Sequence, residues 1–229
     1  MKDRIPWLYN ELKHDEVKMN VPGDSASRKM ESESDAVLDT LGIEEGDVFV
    51  DFGSMTGAFA VQAALRGAKV YAVDASEAMI NCAKANAEKA GASNIEFCHE
   101  GFLTVEIEDS SVDCIVAAFA LHRLPDLWKA IALERMYKML KPGGQLYFYD
   151  AVVEDGNKVE NIPALIKKLA SGGGDFLKAD AEVHFRKEFS TYDWIMDGLL
   201  TRAGFIIKCK DIEGGVIGTY YCLKPLEGG

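Results

Sequence analysis

Apolar residues fall along this chain in two alternating arrangements. DVFVDF (47–52), KVYAVD (69–74), NIEFCH (94–99), VDCIVAAF (112–119) and QLYFYDAVV (145–153) are short, mostly apolar runs and read as strands, several of them buried on both faces. Between them lie stretches with apolar residues at helical spacing. ESESDAVLDTLGI ends near Gly42, and GAFAVQAALRG (57–67) stops at a glycine. SEAMINCAKANAEKAG (76–91) opens on Ser76 as an N-cap and closes at Gly91, while DLWKAIALERMYKMLKPGG is stopped by Lys-Pro-Gly-Gly at 141–144. Farther on, TYDWIMDGLLTRAG (191–204) is an amphipathic helix. FIIKCKDIEGGVIGTYYCLKP then offers two strands joined at EGG (213–215), an antiparallel hairpin at one sheet edge. The alternation predicts an α/β fold with a doubly wound, mainly parallel seven-stranded sheet covered on both faces.

Two segments break the rhythm. Residues 1–30 are polar with a few aromatics and end in the turn-like VPGDSAS (21–27). Residues 154–190 hold a helical NIPALIKKLA, a glycine-rich SGGGD and HFRKEFS, and read as an insertion over the sheet within a main domain of 31–229. With 229 residues and 48% hydrophobic content, one domain with a sizeable core is expected. A net charge of -12 disfavours binding to nucleic acid or anionic membranes, so a small-molecule partner is favoured. Cys82, Cys98, Cys114, Cys209 and Cys222 include no CxxC pair and read as reduced thiols of a cytoplasmic protein. The first 20 residues lack a signal-peptide core, and no run of about 18 apolar residues occurs.

DFGSMTGAF (51–59) forms the turn between the first strand and the next helix, the place where open α/β sheets bind ligands. Glycine admits close backbone approach, and a helix N-terminus offers N–H groups to an anionic group. The spacing is G-x-x-x-G rather than the G-x-G-x-x-G of pyrophosphate binders, and no GK[ST] follows. A nucleoside ligand without phosphates but with a carboxylate and an amine remains, which is what S-adenosylmethionine presents. Asp74 ends the second strand about 20 residues after Gly53, where a carboxylate accepts hydrogen bonds from both ribose hydroxyls.

VFVDFGSMTG, VYAVDAS, EDSSVDCIVAAFALHRLPD and MLKPGGQLYFYD together resemble the class I S-adenosylmethionine-dependent methyltransferases, most closely their small-molecule branch, over residues 40–153. The resemblance implies that Asp51, Gly53, Ser54 and Gly57 meet the amino-acid part of the cofactor and Asp74 its ribose. Ala75 and Met79 would flank the adenine, and Ala118 and Phe119 would line the cleft. Two positions depart from the family pattern. Met55 stands where glycine is common, and the acid expected near the end of the third strand falls at Gly101, so Glu100 is the neighbouring candidate, with Phe102 packing on adenine.

His122 is a weak candidate for a general base, since imidazole titrates near neutrality. Asp113 is expected to be structural. There is no [DNS]PPY segment and no Pro-Cys pair, so exocyclic base amines and pyrimidine carbons are disfavoured as acceptors. No ordered acidic or histidine cluster is visible in the sequence, and no metal is expected. The resulting expectation is in-line methyl transfer from S-adenosylmethionine, leaving S-adenosylhomocysteine, to a small molecule by a monomer or homodimer. The alternatives are a non-catalytic adenosyl-ligand-binding or scaffolding member of the fold and, behind it, an NAD-dependent oxidoreductase. Substrate contacts would come from residues 1–30 as a lid and from 154–190, with Trp7, Tyr9, His14, His184, Phe185 and Arg186 as candidates.

Overall fold

A computed structural model describes residues 25–156, 160–167, 182 and 184–226, with side chains from Glu33 onward. Helix α1 (Ser25–Leu41) precedes β1 (Val48–Phe52), α2 (Ala58–Leu65), β2 (Lys69–Asp74), α3 (Glu77–Ala90) and β3 (Ile95–His99). Then come β4 (Val112–Ala118), a 3-10 turn (Leu121–Arg123), α4 (Asp126–Met139), β5 (Leu140–Val153), β6 (Thr191–Tyr192), α5 (Asp193–Ala203), β7 (Ile206–Glu213) and β8 (Ile217–Leu223).

The strands form one sheet in the order β3-β2-β1-β4-β5-β8-β7, with the two-residue β6 pairing beside β5. The first five strands run parallel, and β8 joins β5 antiparallel, so the C-terminal hairpin closes one edge as its turn residues predict. Successive crossovers go outward from β1 through β2 to β3, then back to β4. The strand order therefore reverses between β1 and β4, and a crevice opens there at the carboxyl ends.

Both faces are buried because side chains alternate along each strand. Phe49, Cys114, Val116 and Ala118 meet Leu38, Phe59 and Ala63 of α1 and α2 on one side. Val50, Phe52, Ile115, Ala117 and Phe148 meet Leu133, Met136, Met196 and Leu200 of α4 and α5 on the other.

Some boundaries differ from those the sequence suggested. Helix α1 begins at Ser25, inside the stretch that reads as a turn. Strand β5 begins at Leu140 rather than at 145, because Lys-Pro-Gly-Gly does not leave the sheet. Leu140 pairs with Val112, the register shifts, and the Gly143 N–H donates to the Lys224 carbonyl. The expected helix in 154–190 is present as residues 160–167, whereas SGGGD and most of the N-terminal segment, with Trp7, Tyr9 and His14, lie outside the described residues.

Asp113 has the structural role expected of it. Its Oδ2 accepts from the Val48 N–H at 2.9 Å, fixing the start of β1 against β4, and Lys141 Nζ lies 2.7 Å from the same carboxylate. Asp113→Ala is expected to destabilise the protein by about 1–3 kcal/mol, since the Val48 N–H loses its acceptor, whereas Lys141→Ala costs under about 1 kcal/mol as a half-exposed pair. Urea unfolding of the two variants checks the difference.

Candidate functional site

The crossover loop after β1 is pinned to the end of β2. The N–H groups of Gly53 and Ser54 both donate to the Val73 carbonyl, at 2.8 and 3.1 Å, and the Met55 N–H donates to Asp74 Oδ2 at 2.9 Å. Asp74 Oδ1 accepts from the Ser76 N–H at 2.8 Å, and the Ser76 hydroxyl caps α3 by accepting from Met79. The loop thus takes left-handed backbone at three of its residues, with φ 70° at Gly53, 46° at Met55 and 83° at Gly57. Glycine meets this at the first and third, and Met55 carries the strain of a side chain in that region.

The glycines also answer a packing demand. A Cβ on Gly53 would lie 2.3 Å from the Ala120 Cβ, and one on Gly57 3.0 Å from the Ala83 Cβ. Space around Gly53 is therefore taken by the exit of β4, and the amides of Gly53, Ser54 and Met55 are engaged within the chain. What remains for an anion is the first turn of α2, whose amides precede any helical carbonyl. Asp51 reaches into that turn, its Oδ2 accepting from the Ala60 N–H at 3.1 Å.

Asp51 and Asp74 are both buried, and among the described residues neither forms an ion pair with Lys or Arg. Burial pushes Asp51 up to about 7, with the negative charge of Asp74 adding to it against the Ala60 hydrogen bond. Burial also raises Asp74, opposed by its two amide donors and by the charges of Arg123 and His99. Two acids held this way favour a cationic guest.

The third strand ends beside them. His99 pairs in register with Asp74 and its ring nitrogen lies 2.9 Å from the Ala75 carbonyl, while the Glu100 N–H donates to the Asp74 carbonyl at 3.1 Å. Phe102 stacks on Phe52 with ring centroids 5.0 Å apart, so one of its faces belongs to the core. Ala75 is exposed, whereas Met79 is buried. Across the crevice, Ala118 ends β4 and Phe119 turns left-handed with φ 49°, its N–H donating to the Tyr149 carbonyl.

Beyond Phe119 lies a buried polar network. Asp150 of β5 accepts from the His122 backbone N–H at 3.0 Å and lies 2.5 Å from its Nδ1. His122 Nε2 is 3.1 Å from Glu188 Oε2, which also meets His184 Nδ1, while Arg123 reaches Glu188 Oε1 at 3.3 Å. Burial opposes a charge on His122, yet the Asp150 and Glu188 carboxylates outweigh it and raise the imidazole to about 9. Glu188 is held below the usual carboxylate range, since its hydrogen bonds from His122 and His184 and the Arg123 charge outweigh its burial. With Asp150 at Nδ1 and Glu188 at Nε2, both ring nitrogens of His122 are engaged by carboxylates, and neither is free to take a proton from a substrate.

Residues 49–144 match the model of the methyltransferase domain family. An uncharacterized methyltransferase of Geobacillus kaustophilus is 29% identical over 171 residues, covering 75% of this chain and 74% of that one. The demethylmenaquinone methyltransferase of Listeria monocytogenes is 25% identical over 69% of this chain and 68% of its own. Among solved structures, an S-adenosylmethionine-dependent methyltransferase of Aquifex aeolicus superposes with a TM-score of 0.62 at 24% identity, over 88% of this chain and 94% of that one. A phosphoethanolamine N-methyltransferase of Haemonchus contortus, in complex with phosphomonomethylethanolamine and S-adenosylhomocysteine, does so with a TM-score of 0.65 at 17% identity, over 85% and 52%. Together these similarities support a class I S-adenosylmethionine-dependent methyltransferase.

In this methyltransferase the oxidoreductase and non-catalytic readings lose their footing. One sequence-based expectation is overturned: a histidine and acid cluster does exist, for His122, His184 and Glu188 converge. Linear spacing hides it, because His122 follows β4 and the other two lie more than sixty residues later. Glu188 and Asp150 were missed as site residues. The signals were an acid inside the otherwise apolar run QLYFYDAVV and the H-x-x-x-E spacing of HFRKE, which sets His184 and Glu188 on one helical face. Gly53→Ala is expected to lower stability by about 1–3 kcal/mol through overpacking against Ala120 and forced left-handed strain. Adding Ala120→Gly should restore part of that loss, a non-additivity that thermal melts of the single and double variants can read.

Proposed function

We propose that this methyltransferase passes the methyl group of S-adenosylmethionine to a small-molecule acceptor by in-line displacement. The observation that carries the reading is the pair of buried acids, Asp51 and Asp74, neither in an ion pair with Lys or Arg among the described residues, at the point where strand order reverses. S-adenosylmethionine brings an ammonium and a sulfonium to such a site. Its amino-acid part lies along Asp51, Gly53, Ser54 and Gly57, and its carboxylate faces the first turn of α2. Its ribose hydroxyls donate to Asp74, whose two oxygens retain lone pairs beyond those given to Met55 and Ser76. Ala75, Met79, Glu100 and Phe102 surround the adenine, and Ala118 and Phe119 form the wall toward the acceptor.

The sulfonium methyl is already electrophilic, so the protein's part is alignment of nucleophile, methyl and sulfur, worth on the order of 7–11 kcal/mol. Residues 184–192 lie across the carboxyl ends of β4 and β5. The Phe189 N–H donates to the His122 carbonyl and Thr191 pairs with Val152. This supports the segment 154–190 as the acceptor side. The acidic chain and a relative named for demethylmenaquinone support a small acceptor.

Calorimetry tests the reading. S-adenosylhomocysteine should bind and NAD should not, and preference for NAD would refute it. Asp74→Ala, with folding verified by its melting curve, should weaken binding by about 1.5–3 kcal/mol per lost charge-assisted hydrogen bond. Unchanged affinity would remove Asp74 from the site. Transfer of radiolabelled methyl into a metabolite extract would identify the acceptor.

Asp51 adds a pH dependence. Its folded value, about 7, lies above the ordinary aspartate value of 3.8, so the empty protein takes up a proton on folding between these limits. The stability contribution is complete below the lower value and is lost as pH rises through about 7; Asp74 acts in the same direction. A ligand ammonium favours the Asp51 carboxylate, so binding releases a proton and affinity should rise from pH 5 toward about 7, then level off. Calorimetry in buffers of different ionisation enthalpy measures that proton, and Asp51→Asn should abolish its release.

A further inference from the structure

Three donor atoms, one each from His122, His184 and Glu188, lie within 4.8 Å of one another where the exit of β4 meets residues 184–188. The inner nitrogens, His122 Nε2 and His184 Nδ1, both face Glu188 Oε2, the first at 3.1 Å. The outer nitrogens are held from behind: His122 Nδ1 by Asp150 Oδ1, and His184 Nε2 by Ser190 Oγ at 3.0 Å. Arg123 takes the other oxygen of Glu188.

We propose that His122, His184 and Glu188 form a binding site for a divalent first-row transition ion of the zinc type. Asp150 and Ser190 are the positioning residues. Each accepts a hydrogen bond from the outer N–H of its imidazole, so that an ion displacing the proton on the inner nitrogen meets a lone pair directed at Glu188, as the partners of metal-ligating histidines arrange. The donor set decides the ion class. Two imidazoles and one carboxylate suit zinc, cobalt or ferrous iron, whereas magnesium and calcium take oxygen ligands. Three protein ligands leave a four-coordinate ion one position for water or an anionic group of a bound molecule. The His184–Glu188 pair sits one helical turn apart and His122 comes from a different element, so the ion would tie residues 184–188 to the end of β4. This reading does not depend on the cofactor assignment or on any acceptor.

The full chain, stripped with chelator, is titrated with Co2+ and Zn2+, with Mg2+ as the control. One equivalent of Co2+ or Zn2+ should bind, with Co2+ showing ligand-field bands and no thiolate charge-transfer band, and Zn2+ should raise the melting temperature. His184→Ala and Glu188→Gln should each weaken binding at least tenfold and lose the thermal shift, and Ser190→Ala should weaken it by about tenfold. Equal affinity in wild type and both ligand variants, or no preference over Mg2+, overturns the site. X-ray absorption of zinc-loaded wild type needs no variant: a shell of nitrogen and oxygen with two imidazoles is expected. A shell containing sulfur would place the ion on the free cysteines and overturn the proposal.

Discussion

The Val73 carbonyl holds two amides of the crossover loop, and the side chain of the next residue, Asp74, holds a third. This clamp extends the β1–β2 ladder past the last paired residues, Phe52 and Val73. A loop fastened at Gly53, Ser54 and Met55 has little freedom left before α2 begins, and the left-handed backbone at three of its positions is the result. The rest of the site inherits its coordinates from that fastening. It presses Gly53 against Ala120, brings Gly57 onto Ala83 of α3, and turns the start of α2 so that Ala60 reaches Asp51.

The clamp has an electrostatic cost that only a ligand removes. Asp74 must be a buried acceptor to catch the Met55 and Ser76 amides, and Asp51 must be one to catch Ala60. Amide donors offset part of the loss of water, but burial remains the largest effect on both groups. The same carboxylates that fold the loop therefore leave negative charge wanting a counterion, and the proposed cofactor supplies positive charge on its amine and its sulfur. Structural and binding roles here are one arrangement, which is why Asp74 serves as both helix-entry acceptor and ribose partner in that reading.

How much of this was legible in the sequence follows the range of the interactions. Strands β1 to β4 and helices α2 and α3 are set by local periodicity and caps, so Ser76, Gly91 and the EGG turn fell within a residue or two of the observed boundaries. The crossover motif was legible because its spacing is short. Its internal spending was not: that Gly53 faces Ala120 rather than open space depends on β4 lying beside β1, a pairing more than sixty residues apart. Leu140 joined the sheet for a similar reason, through Val112. His122 and His184 were each picked out as separate candidates, but their joining with Asp150 and Glu188 escaped, since it needs β4, β5 and the 184–190 segment to be assembled before these residues meet.

Phe119 shows how the two halves of the crevice are joined. Its left-handed backbone is held by the Tyr149 carbonyl, in the register where Ala118 faces Tyr149, and Asp150 is the next residue on that strand. From there the chain runs through Ala120, which fills the space above Gly53, to His122, which Asp150 grips by both backbone and ring. Four consecutive residues thus touch the loop of β1 at one end and the histidine network at the other. A displacement of the loop is transmitted to Ala120 by hard contact, and His122, two residues on, cannot follow without stretching two hydrogen bonds to a buried carboxylate. The rigidity of β4's exit is what sets the distance between the proposed cofactor pocket and the acceptor side, and a displacement reaction needs that distance fixed.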